Sequence, residues 1–222
     1  MAVSTVQTEP ISLVDRVLDF VRDRILSGEY EPGARLRLQP LAEESGASLI
    51  PVREALRILE AERLVETIPN RGARVAGISR EDMEDLYRVR VLLETQAVRE
   101  SPPMTEEEAK EFAEILDQLK EAAKAGDDTL VLKLHRQYHF GIYERTSSRW
   151  LATLIDLLWK HTERYQRLSL PFRHYAADHQ HRDVLEALSN GDPGTAAEAL
   201  RVHLETTARL VGDAYQQPSE QE

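Results

Sequence analysis

The chain has 222 residues, 41% of them hydrophobic and 30% charged, an ordinary balance for a globular protein with one large domain or two small ones. It contains no cysteine, which excludes disulfides, thiolate metal sites and a cysteine nucleophile and fits a reducing cytoplasm. The net charge of −11 argues against a nonspecific polyanion binder with a basic surface all round, but a specific DNA binder needs only a few well-placed cations.

Through Ser12 the chain is polar and irregular and reads as a tail. Leu13, Val14, Val17, Leu18, Val21, Ile25 and Leu26 then follow helical periodicity, ended by Ser27-Gly28. Pro32-Gly33 marks a turn. A short helix is expected over about 39–45, closed by Gly46. Ser48 is placed to cap the next helix, which tolerates Pro51 in its first turn, carries Val52, Ala55, Leu56, Ile58 and Leu59, and ends near Glu62. The period then changes to that of short strands, 64–68 and 73–76, around the turn sequence Pro69-Asn70-Arg71-Gly72. This order is a winged helix-turn-helix pattern. After Ser79 only helices are expected, starting at Arg80 and Thr105 and then over about 128–145, 148–169, 171–190 and 193–215. The short links imply antiparallel neighbours. The fold class is therefore mainly α, a winged helix-turn-helix with a β-hairpin over 1–78 and an all-α bundle of about six helices over 79–222. Most of the negative charge falls in the second part: residues 1–78 hold 10 arginines against 12 acids, residues 79–222 hold 18 cations against 27 acids. The longest strongly apolar stretch, Trp150 to Trp159, has ten residues with Asp156 among them. A membrane helix needs about 20, and no basic-then-apolar leader is visible, so a cytoplasmic protein is expected.

Arg53 and Arg57 lie four apart and share a helix face, with Val52, Leu56 and Leu59 opposite. Arginine forks onto guanine O6 and N7 or clamps a phosphate. The same arginines could instead pair with Glu54, Glu60 or Glu62. The stretches Glu29–Leu36, Pro51–Leu56 and Asn70–Val75, in this order, resemble the DNA-binding domain of GntR-family transcription regulators over about 11–78. The resemblance implies that the helix after Ser48 lies in the major groove and that the hairpin tip Arg71-Gly72 enters the minor groove. Arg35, Ser48, Arg53, Arg57, Arg71 and Gly72 are the residues it brings to DNA. Two positions depart from the pattern: Leu49 replaces an arginine, and Arg63 replaces the glycine that ends the helix.

Seven histidines occupy the second part. His135 and His139 share one helix face at i and i+4; His181 and His203 sit on two later helices beside inward-pointing leucines. Three converging helices can bring four imidazoles together for zinc, nickel, copper or iron, or the four can be unrelated polar residues. His179, two residues from His181, points to another side. The segments 134–151 and 181–197 with His203 resemble the FCD domain of the FadR subfamily. That resemblance implies a metal site of His135, His139, His181 and His203, with His135 where aspartate is commonest and Ser148 where asparagine is common. An imidazole in place of a carboxylate favours zinc or nickel over magnesium or calcium, and a neutral shell leaves the ion its full charge to attract an anion.

Arg90 and Glu94 fall near the inward stripe of the first bundle helix. They either brace each other or leave Arg90 to fork onto a ligand carboxylate, and the resemblance implies an arginine lining an effector cavity. The expected protein is a ligand-responsive regulator, not an enzyme, binding a small organic acid and, as a homodimer, a palindromic double-stranded operator. A metallohydrolase or a pure metal sensor are the alternatives for the same histidines. The hydrolase lacks a His-Glu-x-x-His stretch or a comparable base beside them.

Overall fold

The first helix begins where Ser12, in extended backbone, accepts a hydrogen bond from the Asp15 amide; α1 (Leu13–Ser27) then buries Val17, Leu18, Val21 and Ile25 and ends at Gly28. The structure is a computed structural model that describes residues 12–68, 72–169 and 178–216. The chain divides into two compact units, Met1–Ile78 and Ser79–Glu222.

In the first unit, α1 is followed by β1 (Arg35–Leu36), α2 (Leu38–Ser45) and α3 (Leu49–Ala61). The hairpin strands are β2 (Val65–Ile68) and β3 (Gly72–Val75). The hairpin was expected, although its strands are offset by a residue. The addition is β1, which pairs antiparallel with β3 to make a three-stranded sheet in the order β1-β3-β2. A two-residue strand has no periodicity to read, so the sequence did not announce it. Ser48 precedes α3 in extended backbone, but its side chain makes no cap hydrogen bond, contrary to expectation. Pro51 sits in the first turn and is buried with Val52, Ala55, Leu56 and Leu59. Val52, Ala55, Leu56 and Leu59 meet Val17 and Val21 of α1 and Val75 of the sheet in one core. Each buried Val or Leu there contributes about 1.5–3 kcal/mol. After α3 the chain reverses through Arg63, which holds a φ of 57°, the left-handed conformation glycine adopts without cost.

The second unit holds α4 (Arg80–Arg99), α5 (Glu106–Lys124), α6 (Asp128–Tyr143), α7 (Arg149–Ser169), α8 (Asp178–Ser189) and α9 (Pro193–Gln216). Six helices among the described residues match the expected bundle of about six. The expected start of the fifth at residue 171 lies outside the described residues. Ser79 caps α4, and Thr105 with Glu108 forms a reciprocal capping box on α5. α9 packs on α4, α7 and α8; α5 packs on α6 and α8; α4 packs on α7. The core includes Leu116, Tyr138, Ile142, Ile155, Trp159, Leu188 and Leu200. No helix among the described residues is long and apolar enough to cross a membrane.

Candidate metal centre and DNA-contact residues

In the first unit, Ser48, Arg53 and Arg57 are exposed on and before α3, opposite its buried stripe. Arg57 Nη1 reaches Glu54 Oε1 at 3.0 Å, both side chains well exposed, a pairing that solvent screens. Glu60 and Glu62 are engaged elsewhere: Glu60 accepts from the Thr67 amide at 3.1 Å, and Glu62 accepts from Arg22 at 2.8 Å. Arg35 is exposed on β1 and lies in register with Arg74 on β3. Sequence reading missed Arg74, although strand alternation puts it on the face opposite buried Ala73 and Val75. Gly72 has a φ of 88°, and a side chain there would meet the Leu36 carbonyl at 3.5 Å. Arg71 lies outside the described residues.

In the second unit, α6 supplies His135 and His139, α8 supplies His181 and α9 supplies His203. All four are buried, and each offers a ring nitrogen within 4.8 Å of the other three. The Nε2 atoms of His139 and His181 are 3.2 Å apart. Two imidazoles bound to one ion at about 2.0–2.1 Å hold their nitrogens roughly 2.8–3.4 Å apart at octahedral to tetrahedral angles, so the His139–His181 spacing fits a shared metal. An all-imidazole donor set suits a borderline dication and not magnesium or calcium. His203 Nδ1 lies 3.3 Å from Gln180 Oε1, which can accept its proton. The Tyr138 hydroxyl donates to the His181 carbonyl at 2.7 Å and ties α6 to α8 beside the cluster. His179 is exposed and takes no part.

Next to the imidazoles is a buried charged network. Arg90 and Glu94, one turn apart on α4, are about 1% exposed or less. Arg90 Nε donates to Glu94 Oε1 at 2.6 Å and Nη2 to Oε2 at 3.3 Å. Trp159 Nε1 donates to Oε1 at 3.2 Å, and the Tyr143 hydroxyl donates to Oε2. Burial opposes the Arg90 charge, but the adjacent Glu94 carboxylate outweighs it and raises the guanidinium pKa. Burial first, and then the Glu94 charge, push the Tyr143 phenol well above its ordinary value, so it keeps its proton. Arg90 therefore braces the bundle as one reading required. Its Nη1, however, is buried without a hydrogen-bond partner, as is the Tyr87 hydroxyl one turn earlier. The guanidinium carbon lies 4.7 Å from the Tyr87 ring and 4.9 Å from that of Trp159, whose ring is 5.6 Å from His135 and 5.2 Å from His139. Trp159 thus bridges the arginine to the imidazoles.

Sequence reading missed Tyr143, Trp159 and Tyr87. A signal existed for two of them. Tyr143 continues the four-residue spacing of His135 and His139, and Tyr87 stands three before Arg90 on the same stripe. Trp159 lies on another helix, and nothing in its local pattern points to Glu94.

Comparison with known proteins agrees with both units. Residues 13–75 match bacterial regulatory proteins of the gntR family, and residues 85–206 match the FCD domain. The chain is 30% identical to the HTH-type transcriptional regulator McbR of Escherichia coli over 150 residues, 67% of this chain and 68% of that one. It is 27% identical to the E. coli HTH-type transcriptional repressor GlaR over 208 residues, covering 88% and 94% of the two chains. Among solved structures, a GntR transcriptional regulator of Rhodococcus sp. RHA1 superposes with a TM-score of 0.78 at 27% identity, over 91% of this chain and 99% of that one. The chain belongs to the GntR family of bacterial transcription regulators: it is a ligand-responsive regulator and not an enzyme, with a GntR helix-turn-helix unit followed by an FCD domain.

Proposed function

We propose that this regulator senses a small carboxylate at a metal held by His135, His139, His181 and His203, and reads a palindromic operator as a homodimer. The observation that carries the proposal is the conjunction of four buried imidazoles with Arg90, whose Nη1 has no hydrogen-bond partner. A buried cationic donor left unmatched is costly, and an anion entering the site supplies its partner. Neutral imidazoles leave a bound dication its full charge, so a carboxylate gains from the metal and from the arginine together. Zinc or nickel are the metals this donor set favours. Four ligands leave an octahedral ion two positions for a carboxylate or hydroxy-acid.

On the DNA side, the exposed face of α3 with Ser48, Arg53 and Arg57 enters the major groove, Arg35 on the edge strand β1 meets the backbone, and the hairpin tip at Gly72 enters the minor groove with Arg71. A dimer places two such faces on two half-sites, and effector binding shifts the population of dimers that match operator spacing. A regulator that reads operator DNA in this way acts in the cytoplasm.

Calorimetry tests the reading with a panel of mono- and dicarboxylates on zinc-loaded protein, metal-stripped protein and zinc-loaded Arg90→Lys. Lysine keeps a cation beside Glu94 but lacks the second planar nitrogen. Binding lost without metal and weakened by the lysine supports the bridge. Equal binding to all three proteins overturns it.

A further inference from the structure

We infer that Tyr143, anchored by Glu94, is a positioning residue of the imidazole cluster: it fixes His139 in the tautomer that carries its proton on Nδ1 and turns the bare Nε2 toward His181. The number of protons available decides the direction of each contact. A phenol has one to donate. The Glu94 carboxylate already takes Arg90 Nε, Arg90 Nη2 and Trp159 Nε1, so it acts as an acceptor, and the Tyr143 proton goes to its Oε2. The Tyr143 oxygen then has only lone pairs left. His139 Nδ1, 2.9 Å away, is therefore the donor of that contact. A neutral imidazole with its proton on Nδ1 has none on Nε2, the atom that lies 3.2 Å from His181 Nε2. Without the hydroxyl, Nδ1 and Nε2 would compete for the proton, and part of the population would present an N–H to the centre.

The four-residue spacing makes the device local. His139 and Tyr143 are one turn apart on α6, so their side chains meet without help from another element. Glu94 supplies the outside anchor from α4, and the same carboxylate holds Arg90. The chain Arg90–Glu94–Tyr143–His139 thus joins the cationic donor to the metal-facing nitrogen through four side chains in direct contact. Its consequence for metal affinity rests on the metal-binding reading above; the tautomer itself does not.

The test uses full-length, metal-free protein labelled with ¹⁵N-histidine. Long-range ¹H–¹⁵N correlation reads which ring nitrogen is protonated, and His139 is identified by the signals missing in His139→Gln. Wild type is expected to show His139 protonated on Nδ1 and bare at Nε2. Tyr143→Phe is expected to show mixed tautomers and a zinc affinity lower by about 10–100-fold in chelator competition. A role in packing alone would lower the melting temperature without moving the tautomer. Protonated Nε2 at His139 in wild type overturns the inference, as does a folded Tyr143→Phe with wild-type tautomer and zinc affinity. If the phenylalanine variant does not fold, the wild-type spectrum decides alone. If wild type takes up no zinc, the metal reading fails and the spectrum still decides the tautomer.

Discussion

Replacing Arg90 by methionine removes the charge and keeps most of the volume, because methionine is unbranched and fills a similar channel. Glu94 would then be a fully buried carboxylate without its cation. Removing one partner of a buried ion pair costs about 3–5 kcal/mol. Two of the four donors to Glu94, Tyr143 and Trp159, remain and place the cost at the lower end. A loss of about 3 kcal/mol is roughly a hundredfold in the folding constant of the helical unit. The double change Arg90→Met with Glu94→Gln removes both charges and is expected to recover most of that loss, since a neutral amide oxygen still accepts from both donors. Urea unfolding of metal-free protein at pH 7, followed by tryptophan fluorescence, measures it cleanly. The two tryptophans, Trp150 and Trp159, both belong to the second unit, so the signal reports that unit alone. A single variant within 1 kcal/mol of wild type, or a double variant no more stable than the single, would refute the picture of a charged, mutually dependent pair.

Arg53→Ala and Arg57→Ala are each expected to weaken operator binding by about 1–3 kcal/mol at fixed salt with unchanged circular dichroism, and unchanged affinity in both would remove α3 from the major groove. His203→Ala should abolish the zinc-induced rise in melting temperature, which in wild type corresponds to about 2.7 kcal/mol at a free zinc concentration a hundred times Kd; an equal rise in the variant would mean that zinc binds elsewhere. Glu108 is held down to about 2 from an ordinary 4.5, first by the Thr105 amide and then by Arg145 and the Thr105 hydroxyl. A depressed carboxyl contributes its stability above the unfolded value and loses it as pH falls through the folded one. The stability gap between wild type and Glu108→Gln is therefore expected to be full above about pH 4.5 and to close toward about pH 2 in an acid titration; a gap independent of pH would contradict the capping account.

The helices were legible because their apolar residues recur at helical spacing and their ends carry explicit signals: Gly28 and Gly46 adopt the left-handed conformation at the ends of α1 and α2, and Ser79 and Thr105 accept cap hydrogen bonds. Ser48 had the right chemistry and the right extended backbone, yet its hydroxyl makes no cap bond, because residue type sets what a side chain can do and local geometry sets what it does. β1 was invisible since its two residues gain their conformation from pairing with β3, a contact between positions almost forty residues apart in sequence. Arg63 marked a departure from the familiar pattern, and the structure shows the same left-handed turn made by a non-glycine residue. At the candidate site, spacing put His135 and His139 on one helix face and His181 and His203 beside inward-pointing leucines, and only the resemblance to the FCD domain joined the four into one expected site. Their convergence depends on how α6, α8 and α9 pack, which periodicity does not specify. Sequence left Arg90 with two readings, an internal ion pair or a ligand clamp. The guanidinium has room for both, with Nε and Nη2 on Glu94 and Nη1 without a partner. What binds Glu94 from across the bundle, the Trp159 indole and the Tyr143 hydroxyl, comes from other helices and had no local signal of that role.

The proposal that four imidazoles hold one dication is tested most directly by X-ray absorption at the zinc edge, on full-length protein loaded with one equivalent of zinc and desalted. The account predicts retained zinc with about four nitrogen neighbours at roughly 2.0–2.1 Å and the scattering pattern of imidazole rings, lost in His139→Ala. Zinc washed out on desalting, or a shell of oxygens unchanged by the His139 substitution, would contradict it.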